Sequence, residues 1–462
     1  MKIHLIGHAT LLVETVDRTI LMDPVLGDPH QEDLFEITPC REVLLDRFPA
    51  LDMIVLSHKH LDHFDIRSLV KLPKSIPIIT PKDPLLKHYL ERIGFQHITQ
   101  LADFSVLRTG QTTLITTPSE NPVPEFGVIF VDPNGTFWNQ VDTILSQQTV
   151  HLAMKHAGTV DLLLASWQPM LESDAQFNRH ITFPYQVYER LLYNLSLVQT
   201  KALAPGANGF RYRGESSWLN HVVFPVAREQ FLHDVQTIKP ELCGHTFTFD
   251  PGDTIEVYQG KTTWTAEGSP YVRREDDGRD FLDFSPIDLS NSMESQSLPD
   301  YNEEHIQSAI QRISDTISGS DQFSEHRRWN VIYQLDVVFP DRVEQWHWDF
   351  TDGNTIKPGR HPRSNLISKI TASALSALAS TTRGWDYCML GGYYRTFNRV
   401  CLATPHGILR PHGALKDPLA VAFPYEPIFR AILDREVERW LETSHNATRE
   451  EEWEAVVATH SN

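Results

Sequence analysis

The chain has 462 residues, with 60 Asp or Glu against 41 Lys or Arg, giving a formal charge of −19. That length suits two or three domains, each able to bury its own core. The acidic balance argues against sequence-independent nucleic-acid binding, which depends on Lys and Arg neutralising phosphates. Four scattered cysteines (Cys40, Cys243, Cys388 and Cys401) exclude a disulfide scaffold, a zinc ribbon and a self-contained cysteine-ligated iron–sulfur cluster.

The amino-terminal run MKIHLIGHATLLVETVDRTILMDP alternates like two strands joined at Asp17-Arg18, and it lacks the long apolar stretch of a targeting segment. No apolar run reaches the roughly 18–20 residues needed to span a bilayer, so a cytoplasmic, reducing location is expected. Strands are predicted at Lys2–Leu5, Leu11–Glu14, Thr19–Leu21, Met53–Leu56, Pro77–Ile79, Thr113–Thr116, Gly127–Val131, Thr136–Gln140, Asp161–Ala165 and Lys201–Ala204. Helices are predicted at Ile66–Lys71, Pro84–Ile93, Thr149–His156, Pro184–Leu195 and Val222–Val235. Hairpins mixed with strand–helix units predict an α/β sandwich over residues 1–265.

Residues 266–304 turn acidic and rich in Ser, Asp and Pro, the texture of a linker. Residues 305–462 read as a smaller α+β domain, for substrate or for structure. It holds a β run at VIYQLDVVF, a helical pattern in HPRSNLISKITASALSALAS and a charged helix around Glu426–Glu442.

The sharpest signal is Ser57-His58-Lys59-His60-Leu61-Asp62-His63, which follows the apolar run MIVL. A strand leading into such a loop aims His58 and His60 into one site, and Asp62 and His63 into an adjacent one. Imidazole nitrogens with a carboxylate suit Zn or Fe and not Mg or Ca.

These residues resemble the metallo-β-lactamase superfamily, as do the IGHATLLVE opening and Asp23 in ILMDP. The resemblance implies an αββα sandwich with a two-metal centre at one sheet edge, Asp23 beneath it and Asp142 of TFWNQVDT as the bridging ligand. His8 lies in a hairpin that runs close to the metals in such proteins, so a role supporting them is expected. Hydrolytic members place a third His in the segment that here reads LITTPSENPVPEFGVIF, which contains none. Glu120 and Glu125 are the candidates there, Glu120 being favoured because it follows Thr-Pro-Ser. The usual last His is also displaced: after KALAP the chain reads Gly206-Ala207-Asn208-Gly209, leaving His221 and, behind it, His180 as candidates.

FWNQVDT, KALAPGANGF and DPGDTIEV, and more loosely HPRSNLISKI and RGWDYCMLGGYYRTFNRV, are similar to the CMP-N-acetylneuraminate hydroxylase family. A Glu at the third-His position also resembles the di-iron β-hydroxylases of antibiotic assembly lines. The resemblance implies a non-haem di-iron monooxygenase that hydroxylates a small-molecule substrate with O2, its site holding two Fe ions. Asp62 and Asp142 would be its catalytic carboxylates. A Rieske module needs C-x-H together with C-x-x-H, a pair this sequence does not contain, so a separate ferredoxin or reductase is expected as electron donor. The alternative is a hydrolase with two Zn or Mn ions, acting on a phosphodiester, lactone or amide. Resemblance of the IGHATLLVE opening to N-acylphosphatidylethanolamine phospholipase D and sugar-phosphate lactonases supports it.

Other residues have plainer expected roles. Trp346, Trp348 and Trp385 suit a second core better than a substrate wall, and Arg395 and Arg399 suit salt bridges. Gly206–Gly209 lacks the context of a phosphate-binding loop.

Overall fold

Strands that are apolar on both faces have to be covered on both sides, and in this chain two sheets and two helical layers do so. The structure is a computed structural model. It describes residues 1–445 apart from 178, 180, 182, 276–299, 320, 354, 362–363, 399, 401, 405–406, 410 and 414. The first sheet runs Lys261–Thr265, Thr254–Tyr258, Lys2–Gly7, Thr10–Glu14, Thr19–Met22, Met53–Val55, Ile78–Pro81, Ile98–Leu101. The second runs Leu203–Pro205, Leu162–Ala165, Gly135–Asn139, Phe126–Asp132, Thr112–Pro118, Val106–Thr109.

Period-two alternation sorts the side chains into layers. Leu11, Val13, Ile20 and Val55 meet Val128, Phe130 and Phe137 between the sheets. Leu12, Leu21, Ile54 and Ile78 face outward onto the helices Ile66–Val70 and Pro84–Ile93. On the other side Ile129, Trp138 and Leu163 pack under the helices Gln147–Ala157, Tyr185–Ser196 and Arg228–Ile238. This is the αββα sandwich anticipated above.

The smaller unit is built on a five-stranded sheet, ordered Ile356–Pro358, Val343–Asp349, Ile332–Val338, Leu366–Thr371, Tyr394–Asn398. The helices Glu303–Gly319, Ala372–Ala379 and Trp385–Leu390 share its core. That core is continuous with Leu34, Phe35, Phe210, Tyr212 and Val222–Phe224 of the sandwich. The last helix, Tyr425–His445, returns to the sandwich and packs Phe429, Leu433 and Val437 against its outer helices. Trp348 and Trp385 are buried in the second core and Trp346 packs beside it.

Three expectations change. The predicted helix Val222–Val235 is two helices, Asn220–Val223 and Arg228–Ile238, because Pro225 can neither donate its hydrogen bond nor avoid the preceding turn. The helical pattern in LISKITASALSALA is a strand, Leu366–Thr371, followed by a helix whose first turn is capped by the Thr371 hydroxyl, which accepts from the Ala374 N–H. Within the acidic segment, Val272–Arg274 forms a strand paired with Arg41–Val43. Among the described residues no helix is long and apolar enough to cross a membrane.

Candidate metal centre

The chemistry-bearing residues gather where strands of both sheets end on one edge. His8 follows Lys2–Gly7, Asp23 follows Thr19–Met22, and Ser57–His63 follow Met53–Val55. The second sheet adds Glu125 just before Phe126–Asp132, Asp142 just past Gly135–Asn139, and Asn208 past Leu203–Pro205. His8, Asp23, Val141 and Asn208 all have positive φ, at 48°, 41°, 53° and 75°. Non-glycine residues seldom adopt that region, so four of them at one sheet edge mark a tightly constrained set of loops.

Asp23, fully buried, organises the floor. Its Oδ1 accepts from the Ser57 backbone N–H at 2.7 Å, and its Oδ2 accepts from the Ser57 hydroxyl at 2.7 Å. His63 Nδ1 lies 3.0 Å from the same Oδ2, and His58 Nδ1 lies 2.9 Å from Ser57 Oγ. With the Ser57 proton given to Asp23, Ser57 Oγ accepts from His58 Nδ1. Both imidazoles therefore turn Nε2 toward the cavity.

On that side His58 Nε2 stands 3.0 Å from His60 Nδ1. His63 Nε2 stands 2.9 Å from Asp142 Oδ2 and 3.7 Å from Asp62 Oδ2. Burial, helped by the charges of His63 and His60, holds His58 well below its ordinary pKa and keeps it a neutral donor. Burial acts against charge on His63, but Asp142 and Asp62 outweigh it and hold its pKa well above the usual value. Burial likewise opposes the Asp62 charge, and His63, His8 and His60 overcome it, holding that carboxyl well below the usual range.

The donor set fits a metal. Two nitrogens bound to one ion at about 2.0–2.1 Å stand about 3 Å apart, as His58 and His60 do. His58, His63 and Asp142 bring ligand atoms within 4.8 Å of one another, as do His8, Asp62 and His63. Two buried carboxylate oxygens around them, Asp142 Oδ1 and Glu125 Oε1, have no hydrogen-bond partner among the described residues. Such orphans are costly unless something answers them.

The two loop acids lie in different environments. Glu120 is exposed, its backbone N–H tied to the Ile144 carbonyl. Glu125 is the acid folded inward: burial raises its pKa to about 7, Asp142 adds to the rise, and His63 opposes it. Glu125, His60 and Asp142 line one cavity of about 370 Å³. His221 lies on the short helix Asn220–Val223, but its side chain, like the whole of His180, is outside the described residues.

Glu172 had no sequence signal. It lines the same cavity with Oε2 unpartnered, and burial with the charges of Asp62 and Asp142 pushes it up to about 7. Ser57 was legible only as the residue before the first His. Arg395 is buried over the Trp218 ring, 5.4 Å from its centroid, while Arg399 is outside the described residues. One C-x-H does occur, Cys243-Gly244-His245, but both side-chain-bearing residues are exposed and no C-x-x-H accompanies it.

The sandwich is that of the metallo-β-lactamase fold. Residues 18–117, which hold the histidine motif, match the beta-lactamase superfamily domain model. A protein of Mycolicibacterium smegmatis named "Putative Rieske 2Fe-2S iron-sulfur protein" is 26% identical over 190 residues, 37% of this chain. The chain spans only 36% of the length of that relative. Among solved structures, isothiocyanate hydrolase from Delia radicum gut bacteria is 16% identical with a TM-score of 0.40, covering 56% of this chain and all of the other. CmlA, a diiron beta-hydroxylase from Streptomyces venezuelae, is 14% identical with a TM-score of 0.40, covering 57% of this chain and 53% of the other.

Proposed function

We propose that the chain is a non-haem di-iron monooxygenase that hydroxylates a small molecule, drawing electrons from a separate donor. The observation that carries this reading is Glu125, a buried carboxyl near Asp142 and His63 whose Oε1 has no hydrogen-bond partner, while its Oε2 accepts from Asn121 Nδ2 at 3.3 Å. His58, His60 and Glu125 make a two-histidine, one-carboxylate set, the combination suited to iron that activates oxygen. Those three would hold one metal, Asp62 and His63 the other, and Asp142 would bridge. When bound, the iron pair supplies oxygen activation.

The chain's own residues prepare the site for that role. Asp23 and Ser57 fix the imidazole orientations, and Ile144, Leu145, Met170 and Leu191 give the adjoining cavity an apolar wall. Glu172, pushed up to about 7 by burial, lines the same cavity with Oε2 free of partners, where it can take or give a proton near neutral pH. Similarity to a protein named for a Rieske cluster supports pairing with an iron–sulfur electron donor, such as a ferredoxin or its reductase.

A second reading is a hydrolase with two Zn or Mn ions. The beta-lactamase superfamily match over residues 18–117 favours it. The two separate in one experiment: load the protein with Fe(II) without air, or with Zn(II), count bound metal, then add reductant and O2. Two irons per chain with O2 uptake are expected. Two zincs with turnover of lactone or phosphodiester probes, and no O2 uptake in the iron form, would overturn the oxygenase.

A further inference from the structure

His8 can be taken in two ways. Its Nε2 comes within 4.8 Å of ligand atoms of Asp62 and His63, the arrangement of a third metal ligand. Its Nδ1, however, is already committed. The backbone N–H of Asn208 donates to His8 Nδ1 at 3.0 Å. A ring nitrogen that accepts a hydrogen bond carries no proton, so the proton of the neutral ring sits on Nε2. An Nε2 that bears a proton has no lone pair to give a metal.

His58 and His63 are held the opposite way. Their Nδ1 atoms face Ser57 Oγ and Asp23, and their Nε2 atoms are the ones turned to the cavity. The Nε2 of His8 is buried 3.3 Å from Asp62 Oδ2 and has no aligned hydrogen-bond partner among the described residues, so Asp62 is the acceptor within its reach. The loop that imposes this is Gly206–Gly209, whose Asn208 reaches the hairpin in a left-handed conformation with φ at 75°.

We propose that His8 is a positioning residue for Asp62, locked by the Asn208 N–H with its proton on Nε2, and is not a metal ligand. The proposal rests on the dinuclear reading for the task of Asp62, but the tautomer stands apart from it. Two segments with no obvious connection thereby form one device. The loop Gly206–Gly209 supplies a backbone donor, which sets a distant His to hold a ligating carboxylate in place.

The test has two arms. In the metal-free wild-type protein, long-range proton–nitrogen correlation spectra, with His8 assigned by its loss in His8→Gln, should show Nε2 protonated and Nδ1 bare. Zn(II) titrations of the wild type, His8→Ala and His8→Gln form the second arm. Loss of the donor in His8→Ala should weaken the second zinc by about 10–100-fold, and the side-chain N–H of His8→Gln should restore it to within about 3-fold. A proton on Nδ1, or loss of one zinc equivalent in both variants alike, overturns the proposal. A wild type that binds fewer than two zincs would instead remove the dinuclear reading, with the spectra still deciding the tautomer.

Discussion

Asp23 Oδ2 lies 3.0 Å from His63 Nδ1 and 2.7 Å from the Ser57 hydroxyl, so one buried carboxylate sets the direction of two imidazoles. Asn at this position keeps the shape but replaces one acceptor oxygen by an NH2 donor. Asp23→Asn is expected to turn His63 or Ser57 away and to weaken metal binding by about 10–100-fold, with the fold unchanged. Competitive metal titration together with far-ultraviolet circular dichroism checks this.

Glu125 and Glu120 make a paired test of the site's composition. Glu125→Gln is expected to lose one metal equivalent or to bind it more than about 10-fold more weakly, while Glu120→Gln stays within about 2-fold of wild type. Elemental analysis after dialysis distinguishes them. Equal behaviour of the two variants would sink the ligand set proposed above.

The hairpin that carries His8 is braced from behind. Arg41 pairs with Asp28 and donates to the Ile6 and Val25 carbonyls at 3.1 and 3.0 Å, and Gly7 is required because a Cβ there would stand 2.6 Å from Arg41 Nε. Lys cannot reach three acceptors in that fork. Arg41→Lys should cost about 2 kcal/mol and Asp28→Asn, which strands a buried guanidinium, about 3 kcal/mol, read from urea unfolding.

This pair also sets a pH dependence. Burial works to raise the Asp28 pKa, but the His30 hydrogen bond and the Arg41 charge prevail and hold it below the ordinary value. A depressed carboxylate stabilises the fold above its unfolded pKa of about 3.9 and loses that contribution as pH falls through the lower folded value. The stability gap between wild type and Asp28→Asn should therefore be constant above about pH 5 and shrink steadily below about pH 4.

Leu433 tests whether the last helix belongs to the sandwich. It is fully buried among the outer-layer side chains, and the Tyr89 hydroxyl donates to the Arg430 carbonyl at 2.8 Å across the same contact. Leu433→Ala should cost about 3 kcal/mol. A single cooperative unfolding transition, lowered as a whole, is the expected calorimetric trace.

Much of this was legible because the signal was local. His58, His60, Asp62 and His63 sit in one short loop after an apolar strand, and Asp142 follows another. Spacing placed the first four, and the resemblance to the metallo-β-lactamase superfamily placed Asp142. Which of two loop acids folds inward was not legible, because Glu120 and Glu125 differ only in how Pro122 and Pro124 turn the backbone between them. Glu172 and the Asn208–His8 contact were beyond reach for another reason. They depend on segments 110 and 200 residues from their partners, at Asp62 and His8, and on backbone atoms that carry no residue signature. In the second unit, Leu366–Thr371 read as helix because the Ala- and Leu-rich run after it dominates the composition.

The return of the helix Tyr425–His445 onto the first-made layers has a consequence for how the chain is made. As the ribosome delivers it, the outer face over Ile66–Val70 and Pro84–Ile93 is complete long before residues 425–445 emerge, with more than 300 residues still to be translated between them. At about 5–20 residues per second that is tens of seconds of uncovered apolar surface. Throughout that interval the contacts of Phe429, Leu433 and Val437 are missing from the outer layer, so a chain ended before residue 425 would leave the face bare.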